Sequence, residues 1–424
     1  MKVLVIGNGG REHAICWKLV QSRQVDQVFC CRGNAGISEV AECVDIDMND
    51  FGSLINFVKY EWIDMTIVGP EAPLSRGIVD AFEKEGRRIM GPVRAAARLE
   101  SSKVFSKDFM RKFNIPTAGY KVFSSYNQAE DYVRMKGSPI VIKADGLAAG
   151  KGVIVAGTVD DAISGIRHIM KDRAFGDAGN RVVIEDCLFG EEVSYMVFTD
   201  GDTILPMVSS QDHKRIYDND RGPNTGGMGA YSPAPVVTPE IEKQIMNTVM
   251  LPVINGMKKE GIKYKGILYA GLMIRDGNPY VLEFNCRLGD PETQPVLMRM
   301  DSDLMNIAFG ITDGRLSETE LKWKDEAAVC IVIASNGYPG KYDKGRIITG
   351  MEDLKKEKDV IVFHAGTSFN EEDKVITSGG RVLGVTALGK DLKEAKEKAY
   401  KSVNRIHFEG MHFRKDIADK ALNR

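Results

Sequence analysis

The stretch VLEFNCR, residues 281–287, presents a carboxylate, an amide and a guanidinium at alternate positions. Strand alternation predicts two opposite faces, with Glu283, Asn285 and Arg287 on one and Leu282, Phe284 and Cys286 on the other. A carboxylate and an amide oxygen two residues apart suit magnesium, which takes few protein oxygens and completes its shell with phosphate and water. The neighbouring guanidinium can bind a carboxylate or a phosphate through two N–H groups. An alternating strand with a solvated polar face is the alternative.

A second candidate is the glycine-rich stretch KADGLAAGKGV, from Lys143 to Val153. It differs from a P-loop because Lys151 is followed by Gly152, and because the stretch joins two apolar strands where a P-loop opens a helix. Between two strands, such a loop can fold over a triphosphate as a lid that uses backbone amides and lysines. We therefore expect a nucleotide lid, with a flexible hairpin as the alternative.

Two polar segments carry further groups suited to nucleotide and substrate binding. In VIEDCLFGEEVS, residues 183–194, acids flank a glycine turn after an apolar strand. The strand-end backbone could bind an adenine edge and a carboxylate could accept ribose hydroxyls, although an acidic turn is commonly a solvated loop. Residues 209–233 show neither helical nor strand periodicity, and a structureless loop of this length is usually functional or disordered. The side chains in this segment that are suited to binding a substrate are Asp212, His213, Lys214, Asn224 and Thr225. His213 could handle a proton, bind substrate or be structural.

The first glycine loop, GNGGRE at Gly7 to Glu12, follows a strand and precedes a helix, as a dinucleotide fingerprint does. Two details argue against a nicotinamide cofactor. Glu12 replaces the third glycine, and the second strand ends in Cys31 and Arg32 where an acid is needed for the ribose. We expect a phosphate or sugar-phosphate contact at the helix N-terminus, with a plain tight turn as the alternative.

These candidates lie on a framework that changes along the chain. Residues 1 to about 100 alternate apolar strands with amphipathic stretches, which predicts a parallel sheet covered by helices at about 12–21, 50–60 and 75–85. A helix from Ser102 to Phe113 is ended by Pro116. From about residue 138 the pattern is richer in β-strands, with helices predicted at 160–171, 301–310 and 392–405. YAGLMIRDGNPYVLEFNCR predicts a hairpin that turns at Asp276, Gly277 and Asn278.

The composition is that of an ordinary folded protein and limits the function classes. Over 424 residues, 57 basic and 59 acidic side chains leave a net charge of −2, so nucleic-acid binding is disfavoured. The seven cysteines form no C-x-x-C pair, so neither a disulfide framework nor a zinc site is indicated. Apolar runs are too short for a signal peptide or a membrane span. We expect a soluble, cytoplasmic protein.

Taken together, the motifs resemble those of the glycinamide ribonucleotide synthetase family of ATP-grasp ligases. In chain order they are GNGGREHA, GNAG, VGPEAPL, KADGLAAGKGVIVA, SQDHKR, GPNTGGMGAYSP, YAGLMI, EFNCRLGDPETQP, FHAGT and GGRVLGVTALG. The resemblance spans essentially the whole chain. Its match to one activity within the ATP-grasp ligases rests mainly on SQDHKR, NTGGMGAYSP and NCRLGDPETQP.

The resemblance implies a ligase that joins glycine to 5-phosphoribosylamine through glycyl phosphate, with ATP as co-substrate and Mg²⁺ or Mn²⁺ as cofactor, in de novo purine biosynthesis. Glu283 and Asn285 would hold the metal. ATP would be bound by Lys103, Lys143, Gly146, Gly150, Lys151, Gly152, Glu185, Asp186, Leu188 and Glu192. The substrates would lie near Gly9, Gly10, Glu71, Asp212, Lys214, Asn224, Thr225 and Arg287. The catalytic residues would be Arg287, Lys143, Asp212 and Lys214.

The implied architecture is α/β and α+β in three lobes: a parallel α/β N-terminal domain (1–102), an ATP-grasp domain (103–313) with a lid subdomain at about 120–190, and a small β-rich C-terminal α/β domain (325–424). A monomer is expected, without nucleic-acid or membrane partners. Three alternatives stay open at this point. They are an ATP-grasp ligase for another carboxylate and amine, a nicotinamide-dependent dehydrogenase, and a nucleotide-binding regulatory module without catalysis.

Overall fold

The computed structural model describes residues 1–148 and 152–424, so the predicted lid residues Gly150 and Lys151 lie outside the described residues. The N-terminal strands are β1 Lys2–Gly7, β2 Gln27–Arg32, β3 Glu42–Val44, β4 Met65–Val68 and β5 Ile89–Met90. They form the predicted parallel sheet, in the order β3-β2-β1-β4-β5. Val3 and Val5 face one apolar cluster while Leu4 and Ile6 face another, so helices cover both faces, as parallel sheets require.

The N-terminal helices are α1 Gly10–Leu19, α2 Phe51–Tyr60, α3 Glu71–Arg76 and α4 Ile78–Lys84. The first two confirm the predicted helices. The single helix predicted at 75–85 is wrong, because Gly77 adopts a left-handed conformation with φ +91° that ends α3 before α4 begins. An isolated glycine in a helical pattern is a site where such a break is cheap.

Two helices, α5 Arg94–Ser101 and α6 Lys103–Lys112, lead into the next region. Ser102 caps α6 by accepting a hydrogen bond from the Phe105 N–H at 3.2 Å, which confirms the predicted start of this helix.

The next sheet, here called the lid sheet, consists of β6 Tyr120–Phe123, β7 Ile140–Ala144, β8 Val153–Ala156 and β9 Val182–Asp186. Its strand order is β6-β9-β7-β8, and all its pairs are antiparallel. The two strands predicted to flank the lid loop are therefore neighbours, with Ile140 opposite Ala156. Two helices accompany the sheet, α7 Tyr126–Lys136, which the sequence did not predict, and α8 Val159–Met170, which it did.

The polar segment 209–233 contains regular structure, so the prediction of an irregular loop is wrong. The strands of this part of the chain are β10 Glu191–Thr199, β11 Ile204–Pro206, β12 Gln211–Asp212, β13 Arg215–Tyr217, β14 Arg221–Asn224 and β15 Gly229–Ser232. The last four are short, and β15 finds its partner almost a hundred residues later in the chain. Because the partner of β15 is so distant in the sequence, the residues around β15 do not show the alternation of polar and apolar side chains that predicts a strand.

Helices α9 Pro239–Ile245 and α10 Leu251–Lys259, joined by the π-helical turn Met246–Met250, precede β16 Gly266–Arg275 and β17 Asn278–Asn285. Strands β16 and β17 form the predicted hairpin. The central sheet has the order β11-β10-β16-β17. Gly271 pairs with Glu283 and Leu272 pairs with Val281, so Leu282 is an extra residue in β17 without a partner on β16. Because of this extra residue, the side chains of Val281 and Phe284 both pack in the core. The predicted strict alternation is therefore wrong at Leu282, because a bulge resets the phase.

The remaining elements are α11 Thr293–Arg299, α12 Leu304–Asp313, β18 Ala327–Ala334, β19 Val360–His364, β20 Thr367–Phe369, β21 Val375–Thr377, β22 Arg381–Gly389, α13 Leu392–Val403 and α14 Asp419–Leu422. A five-stranded sheet has the strand order β12-β15-β18-β22-β19. Strands β12 and β15 of the polar segment therefore belong to the C-terminal sheet. Within residues 1–148 and 152–424, no helix is long and apolar enough to cross a membrane.

Candidate active site

Glu283 is the centre of the predicted chemistry, and the structure gives it a free carboxylate. Among the described residues its side chain has no hydrogen-bonding or ion-pair partner, while its backbone belongs to the β16–β17 pair. Burial would raise the pKa of Glu283, but nearby cations together lower it: Lys214, Lys143, Lys103 and Arg287. An ionised, unpaired carboxylate among cations can accept a metal ion or another positively charged group.

Asn285 ends β17 two residues after Glu283, and Arg287 lies two residues beyond the end of the strand, next to Asn285. Arg287 Nη2 donates to Asn285 Oδ1 at 3.1 Å, and the Asn285 side chain is buried. This hydrogen bond orients the amide oxygen of Asn285 toward Arg287. The donor set therefore offers one carboxylate and one amide oxygen. In the described part of the chain, no group of three His, Cys, Asp or Glu side chains could hold a metal. This set fits a hard divalent cation that takes its other ligands from phosphate and water.

A buried ion triad lies next to this face. Glu185 pairs with Lys107 at 2.8 Å and with Lys143 at 3.0 Å, and all three side chains are buried. Lys143 Nζ also donates to the Leu282 carbonyl at 2.8 Å, across from the lid sheet to the central sheet. Burial lowers the pKa of Lys107 to about 8 although Glu185 opposes this shift. The sequence missed Lys107, because nothing in its local spacing distinguishes it from the other lysines of α6.

The ion triad bears on the role expected for Glu185, which was predicted to bind ATP. Both of its carboxylate oxygens face lysines, so the side chain fixes two cations and is not free to receive adenine. Asp186, also predicted to bind ATP, instead pairs with Lys136 at 2.9 Å with about half its side chain exposed. Leu188 lies half-buried in the turn that follows β9, next to the exposed Phe189. The backbone of the turn that follows β9 remains the candidate for binding adenine.

The base of the lid loop is tied to α6. Asp145 accepts hydrogen bonds from the Ser102 hydroxyl at 3.0 Å and from the Val104 N–H at 3.1 Å, and it pairs with Arg181 at 2.5 Å. Lys103 Nζ donates to the Gly146 carbonyl at 3.0 Å. The predicted ATP-binding residues Lys103, Lys143 and Gly146 therefore lie at one end of the loop, and Gly152 follows at the other end.

On the opposite side of the site, Lys214 pairs with Glu192 at 2.9 Å, so Glu192 is engaged by a cation. Burial raises the pKa of Asp212 to about 7, and Glu292 adds to this rise although Lys214 opposes it. Asp212 and Lys214 thus belong to the same electrostatic neighbourhood as Glu283. Asp212 ends β12 and Lys214 lies in the short connection before β13, so strand alternation does not explain why the two are close.

His213 and Thr225 do not share that neighbourhood. The pKa of His213 is lowered to about 3 by burial, with Arg414 adding to the shift, so its imidazole is held neutral against the C-terminal tail. Thr225 donates its hydroxyl to the Lys214 carbonyl at 2.9 Å and accepts from the Gly227 N–H at 2.9 Å. Both side chains shape the polar segment. The half-buried Asn224, at the end of β14, has no side-chain partner among the described residues.

Arg287 is held by two carboxylates. Glu100 Oε1 lies 2.9 Å from its Nη2, and Glu71 Oε2 lies 3.4 Å from its Nε. The other Glu100 oxygen accepts from the Cys286 N–H at 2.7 Å. Glu71, predicted near the substrate, is therefore also a partner of the guanidinium. The sequence missed Glu100, which lies at the end of α5 outside any motif.

A second missed carboxylate is Glu292, whose Oε1 accepts from the hydroxyls of Ser194 at 2.9 Å and Tyr269 at 2.5 Å. The two hydroxyls also lie 2.8 Å apart. Glu292 belongs to the DPETQ motif, so the sequence contained a signal that could have identified it as a site residue. The sequence contained no such signal for its partners on β10 and β16.

The first glycine loop is occupied by the protein's own carboxylate. The Gly9 N–H donates to Glu12 Oε2 at 2.6 Å, and Arg11 Nε lies 2.6 Å from Glu12 Oε1. Gly10, which begins α1, faces Gln294 in the first turn of α11: a Cβ on Gly10 would come within 2.7 Å of Gln294 Nε2. The two glycines therefore lie beside the DPETQ motif, as the predicted substrate site requires, but the Gly9 amide already has a partner.

The family models of phosphoribosylglycinamide synthetase match this chain in order: the N domain at 1–100, the ATP-grasp (A) domain at 101–293 and the C domain at 328–420. The chain is 54% identical over 425 residues to a phosphoribosylamine–glycine ligase of Neisseria meningitidis serogroup B, and the match covers 100% of both chains.

Solved structures agree with this assignment. A phosphoribosylamine–glycine ligase from Thermotoga maritima superposes with a TM-score of 0.86 at 34% identity, covering 99% of this chain and 100% of the other. The biotin carboxylase domain of Hydrogenobacter thermophilus 2-oxoglutarate carboxylase gives a TM-score of 0.73 at 15% identity, covering 97% of this chain and 91% of the other. The second likeness concerns the fold alone.

Proposed function

The chain belongs to the phosphoribosylglycinamide synthetase family of ATP-grasp ligases, and on this premise we propose that it joins glycine to 5-phosphoribosylamine while cleaving ATP to ADP and phosphate. This is a step of de novo purine biosynthesis. The observation that carries the proposal for this particular site is the ionised carboxylate of Glu283, which has no side-chain partner in residues 1–148 and 152–424 and is influenced by the charges of Lys103, Lys143, Lys214 and Arg287. A site that must gather a triphosphate and a second anion needs such an arrangement.

The first half of the reaction is limited by charge. A glycine carboxylate oxygen attacks the γ-phosphorus, the bond from that phosphorus to the β,γ-bridging oxygen breaks, and ADP leaves with glycyl phosphate formed. Bringing a carboxylate to within about 4 Å of one phosphate charge costs roughly 4 kcal/mol at an effective dielectric constant of about 20. Lys143 and Lys103 would offset this cost at the phosphates, and Arg287 would bind the glycine carboxylate.

The second half transfers the glycyl group. The amine nitrogen of phosphoribosylamine attacks the glycyl carbonyl carbon, phosphate leaves with one former carboxylate oxygen, and the nitrogen loses a proton. Asp212 is a candidate to receive this proton, because its pKa of about 7 lets it exchange protons near neutral pH. An acyl phosphate hydrolyses in water, so the lid would also protect this intermediate.

Glu283 and Asn285 would hold magnesium or manganese, which when bound supplies positive charge to the phosphates. We further propose a monomer located in the cytoplasm that acts on small molecules without nucleic-acid or membrane partners. Its three lobes would be residues 1–102, 103–313 with the lid at about 120–190, and 325–424.

The proposal is tested by measuring phosphate release from ATP with the purified protein. We expect release that requires both glycine and phosphoribosylamine, the latter supplied by equilibrating ribose 5-phosphate with ammonia. Turnover with a different carboxylate and amine, and none with this pair, would contradict the proposal. Substrate-dependent oxidation or reduction of a nicotinamide cofactor would support the dehydrogenase alternative.

The metal assignment is tested by Glu283→Gln, which keeps the size of the side chain and removes its charge. We expect the magnesium concentration needed for half-maximal activity to rise at least about tenfold and kcat to fall roughly 100-fold, with little change in thermal stability. The control is Glu191→Gln, since Glu191 pairs with Arg424 at the surface. An unchanged magnesium dependence in Glu283→Gln would refute the assignment.

A further inference from the structure

Arg381, at the start of β22 in the C-terminal sheet, reaches two segments that are distant in sequence. Its Nη1 donates to the Gly226 carbonyl at 2.6 Å and to the Asp290 carbonyl at 2.7 Å, and its Nη2 lies 3.0 Å from Asp290 Oδ2. Five donors in a fixed planar fork suit a residue that must hold several acceptors at once. One side chain thus joins the NTGGMG and GDPETQ segments.

Tyr338 completes the attachment from the same C-terminal region. Its hydroxyl oxygen accepts the Gly226 N–H at 3.0 Å, so side chains of this region hold both backbone polar groups of Gly226. A Cβ on Gly226 would lie 2.9 Å from the guanidinium carbon of Arg381, so the guanidinium packs directly on the glycine. We call Arg381 and Tyr338 the C-terminal clamp.

Asp290 also lies next to the first glycine loop. Gln294 Nε2 donates to Asp290 Oδ1 at 3.0 Å, and a Cβ on Gly9 would lie 3.6 Å from Asp290 Oδ2. Burial would raise the pKa of Asp290, but Arg381 and Arg11 hold it below its ordinary value. An ionised Asp290 therefore connects the clamp to the glycines that were predicted to lie near the ribose phosphate.

Resting on the proposed function, we propose that Arg381, assisted by Tyr338, is a positioning residue for the amine substrate. Within the described residues, the side-chain hydrogen bonds of the clamp all go to Gly226, Gly227 and Asp290. None of these is a partner of Lys103, Lys143 or Glu185, the described cluster at the base of the lid. The clamp therefore shapes the side of the site that receives phosphoribosylamine, and the nucleotide side is built independently of it.

The test is a comparison of Michaelis constants in the full-length enzyme for Arg381→Gln, Arg381→Lys and Tyr338→Phe. We expect Arg381→Gln to raise the KM for phosphoribosylamine at least about tenfold while the KM values for ATP and glycine change less than about twofold. Arg381→Lys should recover part of the loss, because an ammonium can still reach one or two acceptors. Tyr338→Phe, which removes a single acceptor, should raise the same KM by a few-fold only. The matched control is Arg346→Gln, since Arg346 pairs with Glu409 at the surface of the same region.

Equal rises in all three KM values, or a lowered melting temperature with an unchanged KM for phosphoribosylamine, would overturn the inference and leave a purely structural role. If Arg381→Gln does not fold, Tyr338→Phe decides alone, and an unchanged phosphoribosylamine KM in that variant overturns the inference. Absence of wild-type turnover with glycine and phosphoribosylamine would overturn the proposed function as well. Wild-type turnover with unaffected clamp variants overturns this inference only.

Discussion

The two glycine-rich loops of this protein differ in the charged side chain that contacts the loop backbone: a carboxylate at the first loop and a lysine at the lid loop. At the first loop, the carboxylate of Glu12 lies among the glycines: a Cβ on Gly69 would approach it to 2.0 Å and one on Gly7 would come within 2.6 Å of its Cγ. At the lid loop, lysines take the equivalent place, with Lys103 on the Gly146 carbonyl and Lys143 at the end of β7. Glycine spacing alone therefore does not identify an anion site, because the neighbouring charge decides what the backbone amides can bind.

The largest effect that this comparison predicts comes from Lys143→Met. If the lid lysines offset phosphate charge, kcat should fall roughly 100- to 1,000-fold, as when one preorganised donor is removed from a site of developing charge. Glu185 keeps Lys107 as a partner, so the fold should persist. Steady-state phosphate release and a thermal melt measure the two effects separately.

The control for this change is Lys136→Met, which removes an exposed lysine of the same lid region that pairs with Asp186. Its activity should remain within about twofold of wild type, because exposed pairs contribute little. A loss of less than tenfold in Lys143→Met would remove the functional distinction between the two loops.

The next effect concerns stability at the first loop. Glu12→Gln should lower the free energy of unfolding by roughly 3 kcal/mol, since it leaves Arg11 buried without its anion and weakens the bond to the Gly9 N–H. The KM for ATP should not change. Urea denaturation and steady-state kinetics give the two quantities.

Glu39→Gln is the matched control, because Glu39 forms an exposed pair with Lys355 and its loss should cost less than about 1 kcal/mol. A Glu12→Gln protein of wild-type stability with a raised KM for ATP would reverse the assignment, and the first loop would then be the nucleotide loop.

The sequence predicted those parts of the site that lie on one strand or one loop. Glu283 and Asn285 could be placed together because strand alternation puts every second residue on one face, and the bulge at Leu282 lies just before them. The parallel N-terminal sheet was equally predictable, because its strands and helices alternate with clear periodicity.

The parts that the sequence did not predict depend on contacts between distant segments. Lys107, Glu100 and Arg381 meet their partners across 78, 187 and 91 residues respectively, as in Lys107–Glu185, Glu100–Arg287 and Arg381–Asp290. No local spacing records such a meeting. Among the short strands of residues 209–233, the same reason applies to β15, which pairs with β18 of the C-terminal sheet, whereas β13 and β14 pair with each other and were missed because they are only three and four residues long.

The smallest predicted effect is a pH dependence that belongs to the lid side alone. Burial lowers the pKa of Lys107 to about 8, below the unfolded value of about 10.4. Between these two values the unfolded chain holds the proton and the folded chain has lost it, so this group makes the protein more stable as pH rises. Below pH 8 both states are protonated and the slope from this group vanishes. Stability relative to Lys107→Met should therefore increase by about 2 kcal/mol between pH 7.5 and 9.5.

The pH prediction is checked by urea denaturation of both proteins at several pH values, with Lys136→Met as the reference. A hydrogen bond to Asp186 raises the pKa of Lys136, so that lysine keeps its proton over the whole range and its removal should leave the slope unchanged. If wild type and Lys107→Met lose or gain stability in parallel, Lys107 does not lose its proton near pH 8 and the inferred effect of its burial is wrong. The contrast between the two loops would then rest on Lys143→Met and Glu12→Gln.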